Sequence, residues 1–178
     1  MHLLLDDTCS VLIHKHNIAP ALLTLLKHEV ERIRAEESTD IPTSIKVFYA
    51  IIGALKNLSL AAADRGLLGS LGTIDKVATL LDFAHLHNIH HGCLTVIRNL
   101  CAGNNDGNVY RMMTGLNPSQ ELSLDKMAVQ SAGPGSPLGR IISLVWKAKA
   151  DGETAVRNEG GRVLVNLVRA ISRAGGSL

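Results

Sequence analysis

Apolar positions recur with a helical period along much of the chain. Leu22, Leu23, Leu25 and Leu26 form an i, i+3, i+4 stripe, and Val47, Ala50, Ile51, Ala54, Leu55 and Leu58 form another, which predicts an amphipathic helix at each place. Pro20 suits a first helical turn, where its missing N–H costs nothing. The pattern apolar-apolar-X-Asn-apolar occurs as Ala54-Leu55-Lys56-Asn57-Leu58, Val96-Ile97-Arg98-Asn99-Leu100 and Val163-Leu164-Val165-Asn166-Leu167, its asparagines 42 and 67 residues apart. A turn residue and an apolar segment precede each copy: Asn17 before Ile18, Gly72 before Thr73, and Gly139 before Arg140. The distance from Gly72 to Asn99 is 27 residues, and so is that from Gly139 to Asn166, whereas Asn17 to Asn57 is 40. The surplus of 13 residues in the first unit and 25 before the last predicts loop insertions, an acidic one over 27–43 and a flexible one over about 115–137. The second contains Ala132-Gly133-Pro134-Gly135-Ser136-Pro137, a poor helix sequence. Gly72 and Gly139 are expected at sharp corners between a short first helix and a second one, where positive φ is useful.

Composition narrows the fold class to all-α. The chain has 178 residues, 46% of them hydrophobic, with aromatics only at Phe48, Tyr49, Phe83, Tyr110 and Trp146. This is the apolar content of a packed core, drawn from Leu, Ile, Val and Ala rather than from the aromatic and β-branched mixture of strand-rich sandwiches. Lys and Arg total 18 against 16 for Asp and Glu, so no broad basic field exists to hold a nucleic-acid backbone. Cys9, Cys93 and Cys101 are odd in number and lack CxxC spacing, which predicts buried thiols in a reducing compartment. No apolar run is long enough to cross a bilayer, and Leu3-Leu4-Leu5 followed by Asp6-Asp7 is not a signal-peptide pattern. The expectation is a cytoplasmic protein without direct membrane insertion.

A repeated unit of short helix, glycine corner, second helix and long third helix resembles the armadillo repeat. The resemblance implies a single solenoid over 1–178, a right-handed superhelix of about three three-helix units at 1–60, 61–103 and 104–172. Third helices then line a concave groove, and Asn57, Asn99 and Asn166 recur along it. An asparagine amide pairs with the C=O and N–H of an extended peptide, which makes this ladder a candidate partner site; the other reading is that each asparagine bridges neighbouring helices. Nuclear-import adaptors of this fold place tryptophan four residues before the asparagine, but the matching positions here are Gly53, Thr95 and Arg162, so that cargo chemistry is missing.

The last unit resembles a narrower family. Leu144-Val145-Trp146-Lys147-Ala148-Lys149-Ala150-Asp151 and Glu159-Gly160-Gly161-Arg162-Val163-Leu164-Val165-Asn166-Leu167-Val168-Arg169 are similar to the C-terminal armadillo region of the small-GTPase GDP-dissociation stimulators of the smg-GDS type. That resemblance implies a C-terminal portion of a longer array, one that binds Rho- and Ras-type GTPases, takes their basic, often prenylated tails in the groove and promotes GDP release. It implies no cofactor and no covalent catalysis. Arg98 and Arg162 are candidates to meet acidic switch-region residues of a GTPase, or else a carboxylate on a neighbouring helix. Glu29, Glu31, Glu36, Glu37 and Asp40 are candidates to complement a polybasic tail, the alternative being a solvated loop. A scaffold that holds a partner peptide without affecting exchange is the second reading.

Other chemistries find less support. His85, His87, His90 and His91 lack an HExxH arrangement and its glutamate, so an inter-helix segment is expected there rather than a metal site. Gly66, Gly69 and Gly72 follow no strand and lead to no Lys-Ser/Thr. Cys93 and Cys101 lie two turns apart, without a held histidine base. Met112 and Met113 are expected to fill core gaps.

Overall fold

A computed structural model describes residues 17–35, 41–115 and 133–175. Among these the chain is all-α, with eight α-helices and no strand. They are α1 (Ile18–Ala35), α2 (Ile41–Leu58), α3 (Arg65–Ser70), α4 (Thr73–Ala78), α5 (His87–Leu100), α6 (Asp106–Thr114), α7 (Pro137–Ala150) and α8 (Thr154–Gly175). Short 3-10 turns at Thr79–Asp82 and Ala84–Leu86 lead from α4 into α5.

The helices pack in three rows. α5 lies between α2 and α8; α4 contacts both α1 and α7; α3 packs on α6. The three copies of the asparagine pattern fall on α2, α5 and α8, the helices of the first row.

α5 is the centre of the packing because it has neighbours on both sides. Cys93, Leu94, Val96, Ile97 and Leu100 are fully buried along it, and burial of each large aliphatic side chain contributes roughly 1.5–3 kcal/mol. Close approach sets the register: Ile52 of α2 packs against Gly92, and Val145 of α7 packs against Gly160 of α8. In the α3–α6 row, Gly69 leaves room for the Asn108 side chain. Asn108 Nδ2 donates at 2.8 Å to the carbonyls of both Arg65 and Leu100. In the α4–α7 row, Arg140 lies 3.0 Å from Asp82 and 3.7 Å from Asp75.

Two sequence expectations are corrected. Most of the acidic stretch is not a loop, because α1 continues to Ala35 and α2 resumes at Ile41. Glu29 pairs with Arg32 at 3.0 Å, and Glu31 with Lys27 at 3.7 Å. These are one-turn pairs between good helix formers, so the surplus residues lengthen helices instead of opening a loop. Gly139 is not a corner either: it lies in the first turn of α7, where its N–H donates to the capping Ser136 hydroxyl at 3.1 Å. A Cβ at Gly139 would come 2.6 Å from the Gly133 carbonyl oxygen, so closeness to the preceding turn is what requires glycine. Positive φ is found at Gly72, as expected, and at Gly115 directly after α6. Pro137 begins α7 and thus belongs to a helix. Glu36, Glu37, Asp40, Cys9 and 116–132 lie outside the described residues.

Cys93, Cys101, Met112 and Met113 are buried as expected. Among the described residues, no single helix is long and apolar enough to cross a membrane.

Candidate functional site

The row α2–α5–α8 positions most of the residues singled out from the sequence. Its helices are tied by asparagines. Asn99 Nδ2 donates to the Ser59 hydroxyl at 3.0 Å, and that hydroxyl donates to the Lys56 carbonyl at 2.8 Å. Asn166 Nδ2 donates directly to the Arg98 carbonyl at 3.2 Å. Lys56 and Arg98 each immediately precede an asparagine of the recurring motif, so the same kind of link is made twice, once through a hydroxyl relay and once without it. These two amide nitrogens therefore bridge neighbouring helices. Asn57 is exposed and makes no side-chain hydrogen bond among the described residues.

Arg98 and Arg162 converge on one carboxylate. Arg98 lies 3.1 Å from Glu159, Arg162 lies 3.0 Å from it, and the Thr95 hydroxyl is also 3.0 Å away. Only 2% of the Glu159 side chain is exposed, and a carboxylate that deep needs such partners. Arg98 also donates to Asn99 Oδ1 at 3.3 Å, which joins the ion cluster to the asparagine rung. Arg162 is 65% exposed, so much of its guanidinium remains open to solvent beside Arg169 and Val165. Glu159 was not among the residues picked out as a site. Its signal was a lone acid two turns before an asparagine in an apolar helix, and its role depends on Thr95 and Arg98, which are remote in sequence.

At one end of this row, Arg173 of α8 donates to the Gly103 carbonyl at 3.1 Å and meets Asp106 at 3.3 Å. At the other, the exposed Tyr49 hydroxyl donates to the Asn88 carbonyl at 3.2 Å. Glu29 and Glu31 lie on α1, packed beside α2, and are engaged within their own helix.

The histidines separate into two kinds. His87, His90 and His91 lie in the first turns of α5, not in a loop. His87 and His91 are exposed, while His90 is buried and neither ring nitrogen has a hydrogen-bond partner. Burial pushes its imidazole below the ordinary pKa; the Phe83 and Leu80 carbonyls oppose that shift without reaching hydrogen-bond geometry. It lines a cleft of about 270 Å³ together with Leu144, Lys147 and Ala148 of α7. No group of three potential metal ligands is found among the described residues.

Neither cysteine is poised as a nucleophile. Burial raises the Cys101 thiol to about 12 and raises that of Cys93 further. On this helix row two guanidinium groups share one buried counter-charge, and Tyr49 and Val165 are exposed.

Comparison with protein-family models, with curated proteins and with solved structures gives no match to this chain.

Proposed function

We propose that the chain is an armadillo-type solenoid of the cytoplasm that binds small GTPases of the Rho and Ras type on the face lined by α2, α5 and α8 and promotes GDP dissociation. The observation that supports this reading is the side-by-side row of third-position helices, tied by Asn99 and Asn166, with Arg98 and Arg162 brought to a single carboxylate. Such a surface is continuous across units, as protein recognition by repeat arrays requires.

The proposed activity needs no covalent step. A partner that binds the nucleotide-free GTPase more tightly than the loaded one lowers GDP affinity by the same factor, and that difference is the source of stimulation. Arg162, with its exposed guanidinium, is the residue assigned to acidic positions of the GTPase. The acids of α1, Glu29 and Glu31, together with Glu36, Glu37 and Asp40, are assigned to a basic tail.

Release of fluorescent GDP from Rho and Ras GTPases, prenylated and unprenylated, tests the reading. Faster release in the presence of the chain is expected. Binding without acceleration selects the scaffold reading, and neither binding nor acceleration with any of these GTPases removes the proposal.

A further inference from the structure

His90 is only 3% exposed, yet neither of its ring nitrogens has a hydrogen-bond partner. An imidazole always carries at least one donor, and in its neutral form an acceptor as well. Burying such a ring is costly unless something else meets those groups. The ring lines the cleft of about 270 Å³ between the first turns of α5 and the facing side of α7. That space is larger than a single bridging water needs.

The rest of the lining is divided by chemistry. Ala84, Leu144 and Ala148 are apolar, Lys147 is cationic, and Asp151 and Glu153 are anionic. Lys147 and Asp151 are exposed and Glu153 is half-buried, and no salt bridge joins Lys147 to either acid. Charges of both signs therefore face one space without neutralising each other.

That pattern selects the ligand. A molecule with only a carboxylate is repelled by the two acids, and one with only an ammonium is repelled by Lys147. A small molecule carrying both groups meets an opposite charge for each. Glu153 and His87 already act on the His90 ring through their charge, so the ring also senses what lies between them.

We propose that this cleft binds a free α-amino acid with a small aliphatic side chain. Lys147 and the His90 ring receive its carboxylate, Glu153 and Asp151 receive its ammonium, and Ala84, Leu144 and Ala148 cover its side chain. None of the lining residues lies on α2 or in the cluster of Arg98, Glu159 and Arg162. The site is thus separate from the proposed GTPase surface, and its failure leaves that reading untouched.

Titration of the isotope-labelled full chain with alanine, followed by NMR, tests the proposal. Saturable shifts are expected for the His90 imidazole and for the amides around Ala84 and Lys147. Propionate and ethylamine, which each lack one of the two charges, should bind at least about tenfold more weakly, because each forfeits a charge-assisted contact. Lys147→Gln and Glu153→Gln should each weaken alanine binding by a similar factor, with circular dichroism showing unchanged helix content.

The absence of a saturable response to alanine overturns the proposal. So does propionate or ethylamine binding as tightly as alanine, and so does alanine binding that neither substitution changes.

Discussion

Glu159 of α8 meets Arg98 of α5 at 3.1 Å across the central helix interface, with its carboxylate almost wholly removed from solvent. The pair joins two helices that are remote in sequence. It also places a charge where hydrogen-bonded and ionic partners offset the cost of burial.

Removal of that carboxylate is expected to be costly. Glu159→Ala leaves the partly buried Arg98 and the Thr95 hydroxyl without their shared acceptor and should destabilise the chain by about 1–3 kcal/mol. Equilibrium urea unfolding measures it. A loss within the range of ordinary surface substitutions, about 0.5 kcal/mol, would show that the cluster contributes little.

The asparagines should not be equivalent. Asn166→Ala removes one bond to the Arg98 carbonyl and is expected to cost about 1 kcal/mol. Asn99→Ala removes bonds to both Ser59 and Arg98 from a buried site and should cost more, about 1–3 kcal/mol. The exposed Asn57→Ala should stay within about 0.5 kcal/mol in dilute solution. Equal losses at all three positions in urea titrations would contradict the bridging geometry.

Adjacent glycines in α8 offer a sharp contrast. A Cβ at Gly160 would lie 2.3 Å from the Val145 side chain, whereas Gly161 has nothing within 4 Å. Gly160→Ala is therefore expected to destabilise by about 1–3 kcal/mol through overpacking against a stiff β-branched residue. Gly161→Ala should stabilise by about 0.5–1 kcal/mol through helix propensity. Thermal midpoints moving in the same direction for both would refute this assignment of helix faces.

His90 makes stability depend on pH. Its folded pKa is lowered from the ordinary 6.5, chiefly by burial, with His87 acting in the same sense and Glu153 opposing. Below about 6.5 the unfolded chain therefore binds more protons at this site than the folded one, and stability falls as pH decreases toward the folded pKa. The slope from this group is at most about 1.4 kcal/mol per pH unit. His90→Gln should flatten that part of the profile, as read from urea midpoints at successive pH values; an unchanged slope would assign the dependence to other groups.

Arg162 separates recognition from folding. Its side chain is 65% exposed, so Arg162→Ala should cost no more than about 1 kcal/mol of stability. Under the proposed function the same change weakens GTPase binding and slows stimulated GDP release. Binding titrations that do not respond to Arg162→Ala would remove it from the partner surface.

Helix positions were legible because apolar stripes such as Val47 to Leu58 encode an amphipathic face locally. Each of the three Asn-Leu motifs lies on one of α2, α5 and α8, which pack side by side. The length of α1 was misjudged because a fixed 27-residue spacing made extra charged residues read as loop, although Glu29 and Glu31 find partners one turn away. Gly139 was misplaced for a related reason: sequence spacing does not distinguish a glycine needed for positive φ from one needed for close packing. The role of Glu159 was hidden more deeply, because a buried carboxylate is determined by which side chains the folded neighbours supply. His90 likewise looked like its exposed neighbours until packing put it beneath α7.

The fully buried thiols of Cys93 and Cys101 supply the chain with an internal clock. Both are on or directly after α5, the helix held from two sides, and alkylation requires a deprotonated sulfur that reagent can reach. In a Cys9→Ser background, their labelling rate therefore times the excursions in which the central helix lets go of its neighbours. The hold of α2 and α8 on the central helix becomes a rate that can be measured without denaturant.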